Sequence, residues 1–218
     1  MKLKKRTIFF IIFIIVIADQ LLKIYVKTHF YIGESRPLIG NWFKLYFIEN
    51  EGMAYGWKFG GQWGKIVLTL FRLFAVILGF FYIKRITKKK YHPGYIICIA
   101  FIFAGALGNL IDSLFYGMIF QNSSTFAYNV AKIFPPHGYA GFLHGRVVDM
   151  LYFPIIHIRS LPGWIPFFGG KEFSFFNYIF NIADASVSAG VITIIIFRKH
   201  FFRHAEQQIN HDPEAVYE

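Results

Sequence analysis

Apolar residues run almost unbroken through four stretches of the chain, residues 7–26, 65–83, 95–116 and 177–197. Each comes close to the ~20 residues a helix needs to cross a bilayer, so the pattern predicts four transmembrane helices. The first stretch also has features of a cleavable secretory signal: basic residues precede it, and Val16 and Ala18 are small enough for a cleavage site. Apolar residues resume at once at Leu21, which favours a retained span. Between the spans lie two irregular connections, 27–64 and 117–176. Within the first, WFKLYFIEN (42–50) alternates like a short strand. The second is long and rich in Gly, Pro and aromatics, and its Trp164, Phe167, Phe168, Phe173, Phe175 and Phe176 suit a membrane–water interface. The expected architecture is an all-α membrane protein forming a single domain, 1–218. Four transmembrane helices carry a small extracytoplasmic β-containing cap and an interfacial loop, and a polar tail follows from 198 to 218.

Composition strengthens this picture. Of the 218 residues 56% are hydrophobic and only 16% charged, against about 25% in soluble domains. The formal net charge of +11 suggests nucleic acid until the basic residues are located. Lys2, Lys4, Lys5 and Arg6 precede the first span. Lys84, Arg85, Lys88, Lys89 and Lys90 separate the second from the third, and Arg198, Lys199 and Arg203 follow the fourth. The positive-inside rule then puts both termini in the cytoplasm, and the excess charge marks sidedness and anionic lipid rather than nucleic acid. The single cysteine, Cys98, excludes an internal disulfide and a CxxC pair.

Charged groups inside a bilayer are costly and call for a reason. Four of the five aspartates, Asp19, Asp112, Asp149 and Asp184, lie in or beside a span, all toward its external half under this topology. Asp19 and Lys23 share a helix face four residues apart and are expected to form a structural pair. Asn109 and Asp112 are three apart. Asn177, Asn181, Asp184 and Ser188 form a polar stripe on the fourth span, and Ala104, Gly105, Ala106 and Gly108 permit close helix packing. Asp112 reads equally as a hydrogen-bonded helix-end residue, and Asp149, within GRVVDM, has Arg146 three residues before it. Spacing alone leaves open whether Asp149 and Asp184 form a working pair. Two carboxyls held close in a semi-dry site retain one proton, so one can activate water while the other polarises a carbonyl. No HExxH or GxSxG segment offers a rival chemistry. His137, His144 and His157 lack ligand spacing, so neither metal nor other cofactor is expected.

With these residues in place, the chain resembles the bacterial lipoprotein signal peptidases (signal peptidase II). The resemblance rests on ADQLLK (18–23), NEGMAYG (50–56), GALGNLID (105–112), GRVVDM (145–150) and FNIADASVSAG (180–190), in order along nearly the whole chain. It implies an aspartyl protease of the bacterial cytoplasmic (inner) membrane, cutting signal peptides from prolipoproteins whose lipobox cysteine carries diacylglyceryl. By motif position it implies Asp149 and Asp184 as the catalytic dyad. Asn50, Gly52 and Ala54 would contact substrate, while Asn109, Asp112 and Asn181 would support the site. Two departures stand out. Ser113 occupies the place where the family usually has arginine, and Arg146 is the expected replacement. Some 27 residues, 118–144, intervene between the third span and the Asp149 block.

The expected function is therefore an intramembrane endopeptidase, monomeric, with its site toward the outer face and with membrane lipids and lipidated prolipoproteins as partners. The alternative is a small transporter or proton-pathway protein using buried carboxylates; it lacks the repeat halves or broken paired helices common in transporters. A membrane scaffold would leave the polar stripe unexplained. The 118–144 insertion is expected to be a mobile lid or substrate-docking surface at the interface, with a passive loop as the rival.

Overall fold

The computed structural model describes residues 4–51, 61–89, 91–127, 129–154, 156–158, 162, 164, 170, 173–175 and 178–202. Its helices bury polar groups and expose apolar ones. On α1 (Lys5–His29), Asp19, Lys23, Val26 and Lys27 form a buried stripe at helical spacing, while Phe9, Phe10, Phe13, Ile17 and Leu21 are exposed. Lipid rather than water is the solvent this surface suits. With about 1.5 Å of rise per residue, the 25 residues of α1 exceed the ~30 Å hydrocarbon core. Among the described residues three helices are long and apolar enough to cross: α1, α2 (Gly61–Lys88) and α3 (Pro93–Ile111) with its continuation.

α3 does not stop at Ile111. It passes into a π-helical turn, Asp112–Tyr116, and a last single turn, α4 (Gly117–Ile119). The wider turn leaves carbonyls for other partners: Ser113 and Leu114 accept hydrogen bonds from the N–H groups of Gly145 and Leu143, at 2.9 and 3.3 Å. Gly145 is required there, since a Cβ at this position would lie 1.9 Å from the Asp112 carbonyl oxygen.

The fourth apolar stretch differs from its expectation. Ile179 and Phe180 form a strand, and the helix α5 spans Ile182–Ile196, only 15 residues, with a further helical turn after Phe197. Sheet pairing claims the start of the stretch; Asn177, the first member of the expected polar stripe, lies outside the described residues. α5 packs most extensively on α3, at the small residues. A Cβ on Gly105 would approach the Ala183 carbonyl oxygen to 2.2 Å. Gly105→Ala is thus expected to cost about 1–3 kcal/mol by overpacking, seen as a lowered Tm in detergent; an unchanged Tm would show this helix contact to be loose.

The cap is a four-stranded antiparallel sheet ordered β1 (Ser35–Ile39), β2 (Phe43–Asn50), β3 (Val147–Tyr152), β6 (Ile179–Phe180). A separate pair joins β4 (Ile156–Ile158) to β5 (Phe173–Phe175). Beneath the sheet, Val148 and Met150 of β3 join Leu45 and Phe47 of β2, Val26 and Phe30 of α1, and Tyr116 and Phe120 in one buried cluster. The alternation of β3 directs Asp149 to the opposite face from Val148 and Met150.

The insertion is hydrogen-bonded to the end of α3 and to the segment after α1. Phe120 and Ile133 form a β-bridge, and Tyr139 and Ala140 donate backbone hydrogen bonds to Phe120 and Gly117 at 3.1 and 3.0 Å. Ser124 accepts from the Ile32 N–H at 2.7 Å, and Ala131 is buried. Phe120 and Tyr139 turn inward to the core, whereas Phe126, Phe134 and Phe142 remain exposed and can lodge among headgroups.

Candidate active site

β3 and α5 meet through β6. Leu151 pairs with Phe180 and Tyr152 with Ile179, so the sheet brings the start of α5 beside Asp149. Asn181 is the N-cap of α5: its side-chain oxygen accepts the Asp184 N–H at 2.8 Å. The same side chain donates through Nδ2 to Asp149 Oδ1 at 2.7 Å. One asparagine thus touches both aspartates. The Asp184 side chain accepts a hydrogen bond from Asn109 Nδ2 of α3 at 2.8 Å. The two asparagines also meet, Asn181 Nδ2 lying 3.2 Å from Asn109 Oδ1.

Behind them lies a buried ionic network. Lys23 Nζ sits 2.8 Å from a carboxylate oxygen of Asp19 and 2.8 Å from one of Asp112, and donates to Asn109 Oδ1, also at 2.8 Å. Gln20 donates to Asp112 at 2.9 Å and accepts from the Tyr116 hydroxyl at 3.1 Å. Asp19 Oδ1 accepts the Ala183 N–H at 2.9 Å, which joins α1 to the first turn of α5. Asp112 lies within 3.4 Å of the Val148 N–H, next to Asp149 in the strand. Burial, and after it the negative charge of Asp184, pushes the Asp149 carboxyl up to about 7.

A second cluster sits at the cap. Lys27 pairs with Glu49, whose carboxylate also accepts from Ser123 at 2.7 Å and from Arg146 at 3.1 Å. Burial alone would raise the Glu49 carboxyl, but the charge and hydrogen bonds of Lys27 hold it below the usual carboxylate range. Tyr139, its hydroxyl pushed up by burial, places its ring 4.9 Å from Lys27 Nζ and 5.1 Å from the Arg146 guanidinium.

The structure therefore brings Asp19, Lys23, Asn109, Asp112, Asp149, Asn181 and Asp184 into one hydrogen-bonded network. Asn50 lies at the end of β2, opposite Val147. Gly52 and Ala54 lie outside the described residues. Arg146 belongs elsewhere: its guanidinium bonds Glu49 and Asn122 rather than Asp149 or Ser113. What meets Ser113 is Arg72 of α2, donating to its hydroxyl at 3.0 Å. Sequence reasoning missed Arg72, although a charged residue in the middle of the second apolar stretch was signal enough. Lys65 and Thr69 share its face at four- and three-residue steps; Lys65 holds the Glu51 carbonyl at 2.8 Å and Thr69 the Leu143 carbonyl at 3.0 Å.

Two carboxyls on separate elements are thus bridged by an asparagine and backed by a buried lysine. Comparison with known proteins gives the class to which the chain belongs. Residues 11–199 match the family Signal peptidase (SPase) II. The lipoprotein signal peptidase of Porphyromonas gingivalis is 40% identical over 188 residues, covering 85% of this chain and 80% of the relative. That of Amoebophilus asiaticus is 34% identical, covering 84% and 74%. A solved bacterial membrane enzyme, 28% identical, superposes with a TM-score of 0.56 over 89% of this chain and 88% of the other. The chain belongs to the signal peptidase II family and is a protease of the membrane.

Proposed function

We propose that this protease removes signal peptides from prolipoproteins, with Asp149 and Asp184 as a two-aspartate site and no covalent intermediate. One observation carries the reading: Asn181 hydrogen-bonds Asp149 through one side-chain atom and the backbone of Asp184 through the other. The Asp149 carboxyl, pushed up to about 7, keeps its proton near neutrality. Asp184 lies in the first turn of α5, where the helix dipole favours a negative charge. In the reaction Asp184 takes a proton from water, and the resulting hydroxide attacks the scissile carbonyl, which Asp149 polarises. The tetrahedral intermediate collapses, the C–N bond breaks, and the leaving amine takes up a proton from the pair. Asn109 and Asn181 hold both carboxyls in register.

The substrate is a prolipoprotein whose lipobox cysteine carries diacylglyceryl. It reaches the site laterally, because two acyl chains keep that cysteine in the bilayer. Purified protein in lipid should cleave a diacylated lipobox peptide and leave its unlipidated counterpart largely intact. Equal turnover of both would remove the lipid-dependent part of the reading.

The same reading gives four crossings in the bacterial inner membrane, both termini in the cytoplasm, the site toward the outer face and a monomeric enzyme. The exposed positions Ser35 and Thr125, changed to cysteine, should react with an impermeant thiol reagent from outside, whereas cysteine at Lys89 should not. The opposite pattern would put the aspartates on the cytoplasmic side.

A further inference from the structure

α2 supplies none of the residues discussed for acid–base chemistry, yet one of its charges is built into the site. Arg72 lies half-buried on the inward stripe of α2 with Lys65 and Thr69. Its Nη1 donates to Ser113 Oγ at 3.0 Å, and that hydroxyl donates in turn to the Asn109 carbonyl at 3.0 Å. Asn109 is the residue whose side chain bonds Asp184. The guanidinium is thus steered by the turn that also steers the aspartate pair. Asp184, Asp112 and Asp149 all act on its charge.

An arginine in this setting is expensive to retain for packing alone, because a leucine or methionine would fill a lipid-embedded helix at no electrostatic cost. Charge balance accounts for part of it, since the single charge of Lys23, 2.8 Å from both Asp19 and Asp112, offsets only one of those two carboxylates. Among the carboxyls acting on the Arg72 charge, Asp184 of the pair comes first, ahead of Asp112 and Asp149. A planar fork of N–H donors beside two carboxyls is suited to an oxygen acceptor that arrives with the substrate.

We propose that Arg72, oriented by Ser113, is the substrate-positioning cation of this protease, binding a backbone carbonyl of the peptide next to the scissile bond. It rests on the two-aspartate reading above. Arg72 keeps the peptide over the pair and, by its charge, favours the state in which one of the two carboxyls is ionised. The charged and titratable groups facing the pair are Asp19 and Lys23 of α1, Arg72 of α2 and Asp112 of the π turn, with Lys65 above Arg72 on the same stripe. Loss of the Arg72 charge removes a cation on which both carboxyls of the pair act.

The test is a set of variants in lipid, assayed with the diacylated peptide across pH 5 to 9, with kcat and KM separated and Tm recorded. Arg72→Gln should lower kcat/KM about a hundredfold, mostly through KM, and should move the acidic limb of the rate profile to higher pH by about one unit. Arg72→Lys keeps the charge but not the fork, so it should restore the position of the limb while leaving KM raised. Ser113→Ala keeps charge and fork but loosens the fork; KM should rise severalfold with the limb unmoved. Arg72→Gln with unchanged KM and an unmoved limb would overturn the proposal. So would Arg72→Lys restoring kcat, KM and Tm together, which would make Arg72 a structural cation. Failure of the aspartate reading shows separately, as cleavage surviving in Asp149→Asn while Arg72 is intact.

Discussion

Asp149→Asn should abolish cleavage, by at least about a thousandfold, and at the same time make the protein more stable above neutral pH. The first effect follows because the amide supplies neither a transferable proton nor a base. The second follows from the position of the Asp149 carboxyl, about 7 in the folded protein against about 4 in an unfolded chain. The folded state holds that proton more tightly, so the stability it contributes is complete at low pH and is lost as pH rises through about 7. Asparagine does not titrate, and at pH 8 the variant escapes a cost on the order of a few kcal/mol. Tm measured at pH 5 and pH 8 should therefore drop more in the wild type than in Asp149→Asn. Asp184→Asn should be equally inactive. Near-normal turnover in either variant would dismiss the pair, and identical pH slopes of Tm would dismiss the burial of Asp149 as the source of its raised carboxyl.

Lys23→Met should be the most damaging change outside the pair. Lys23 is fully buried and is the shared charge partner of Asp19 and Asp112, both buried too. Removing one partner of such a cluster leaves uncompensated charge and costs about 3–5 kcal/mol, enough to unfold a marginal membrane protein. Converting the whole cluster in a Lys23→Met, Asp19→Asn, Asp112→Asn variant should recover much of that loss, since no charge remains buried. Activity should stay low even so, because Lys23 also fixes Asn109, which holds Asp184. Wild-type Tm in Lys23→Met would show that the carboxylates find other partners and that the network is not what joins α1 to α3.

The sequence read well where a residue and its partner lie within one helical turn or one strand. The Asp19–Lys23 pair, the alternation of 42–50 and the small-residue face at 104–108 all appear in the structure as local patterns imply. Three long helices were legible for the same reason. What was hidden depends on pairing across the chain. β3 looks like loop until β2 is placed beside it, and residues 179–180 look like helix until β3 captures them. Arg146 has Asp149 three residues away, but strand geometry sends their side chains to opposite faces, and Glu49 from β2 takes the arginine. Arg72 carries the same signal as the acidic residues in the spans, because the cost of burying charge has no sign. The Pro and Gly residues of the insertion exclude a long regular helix there. Nothing in that composition reveals that its backbone is hydrogen-bonded to the end of α3.

The buried lysine has a consequence for how the protein is made. As α1 leaves the ribosome it carries Asp19 and Lys23 four residues apart, so the nascent segment can partition into lipid as a neutral pair without waiting for the rest of the chain. α3 brings Asp112 with no basic residue in its own span. It therefore has a strong reason to remain at the insertion machinery until it can share the Lys23 ammonium with Asp19. Biogenesis is thereby ordered by electrostatics: the first helix is self-sufficient and the third is its client. A chain whose α1 has been cleaved off as if it were an export signal would hold an orphan carboxylate in the bilayer, a mark that membrane quality control can recognise.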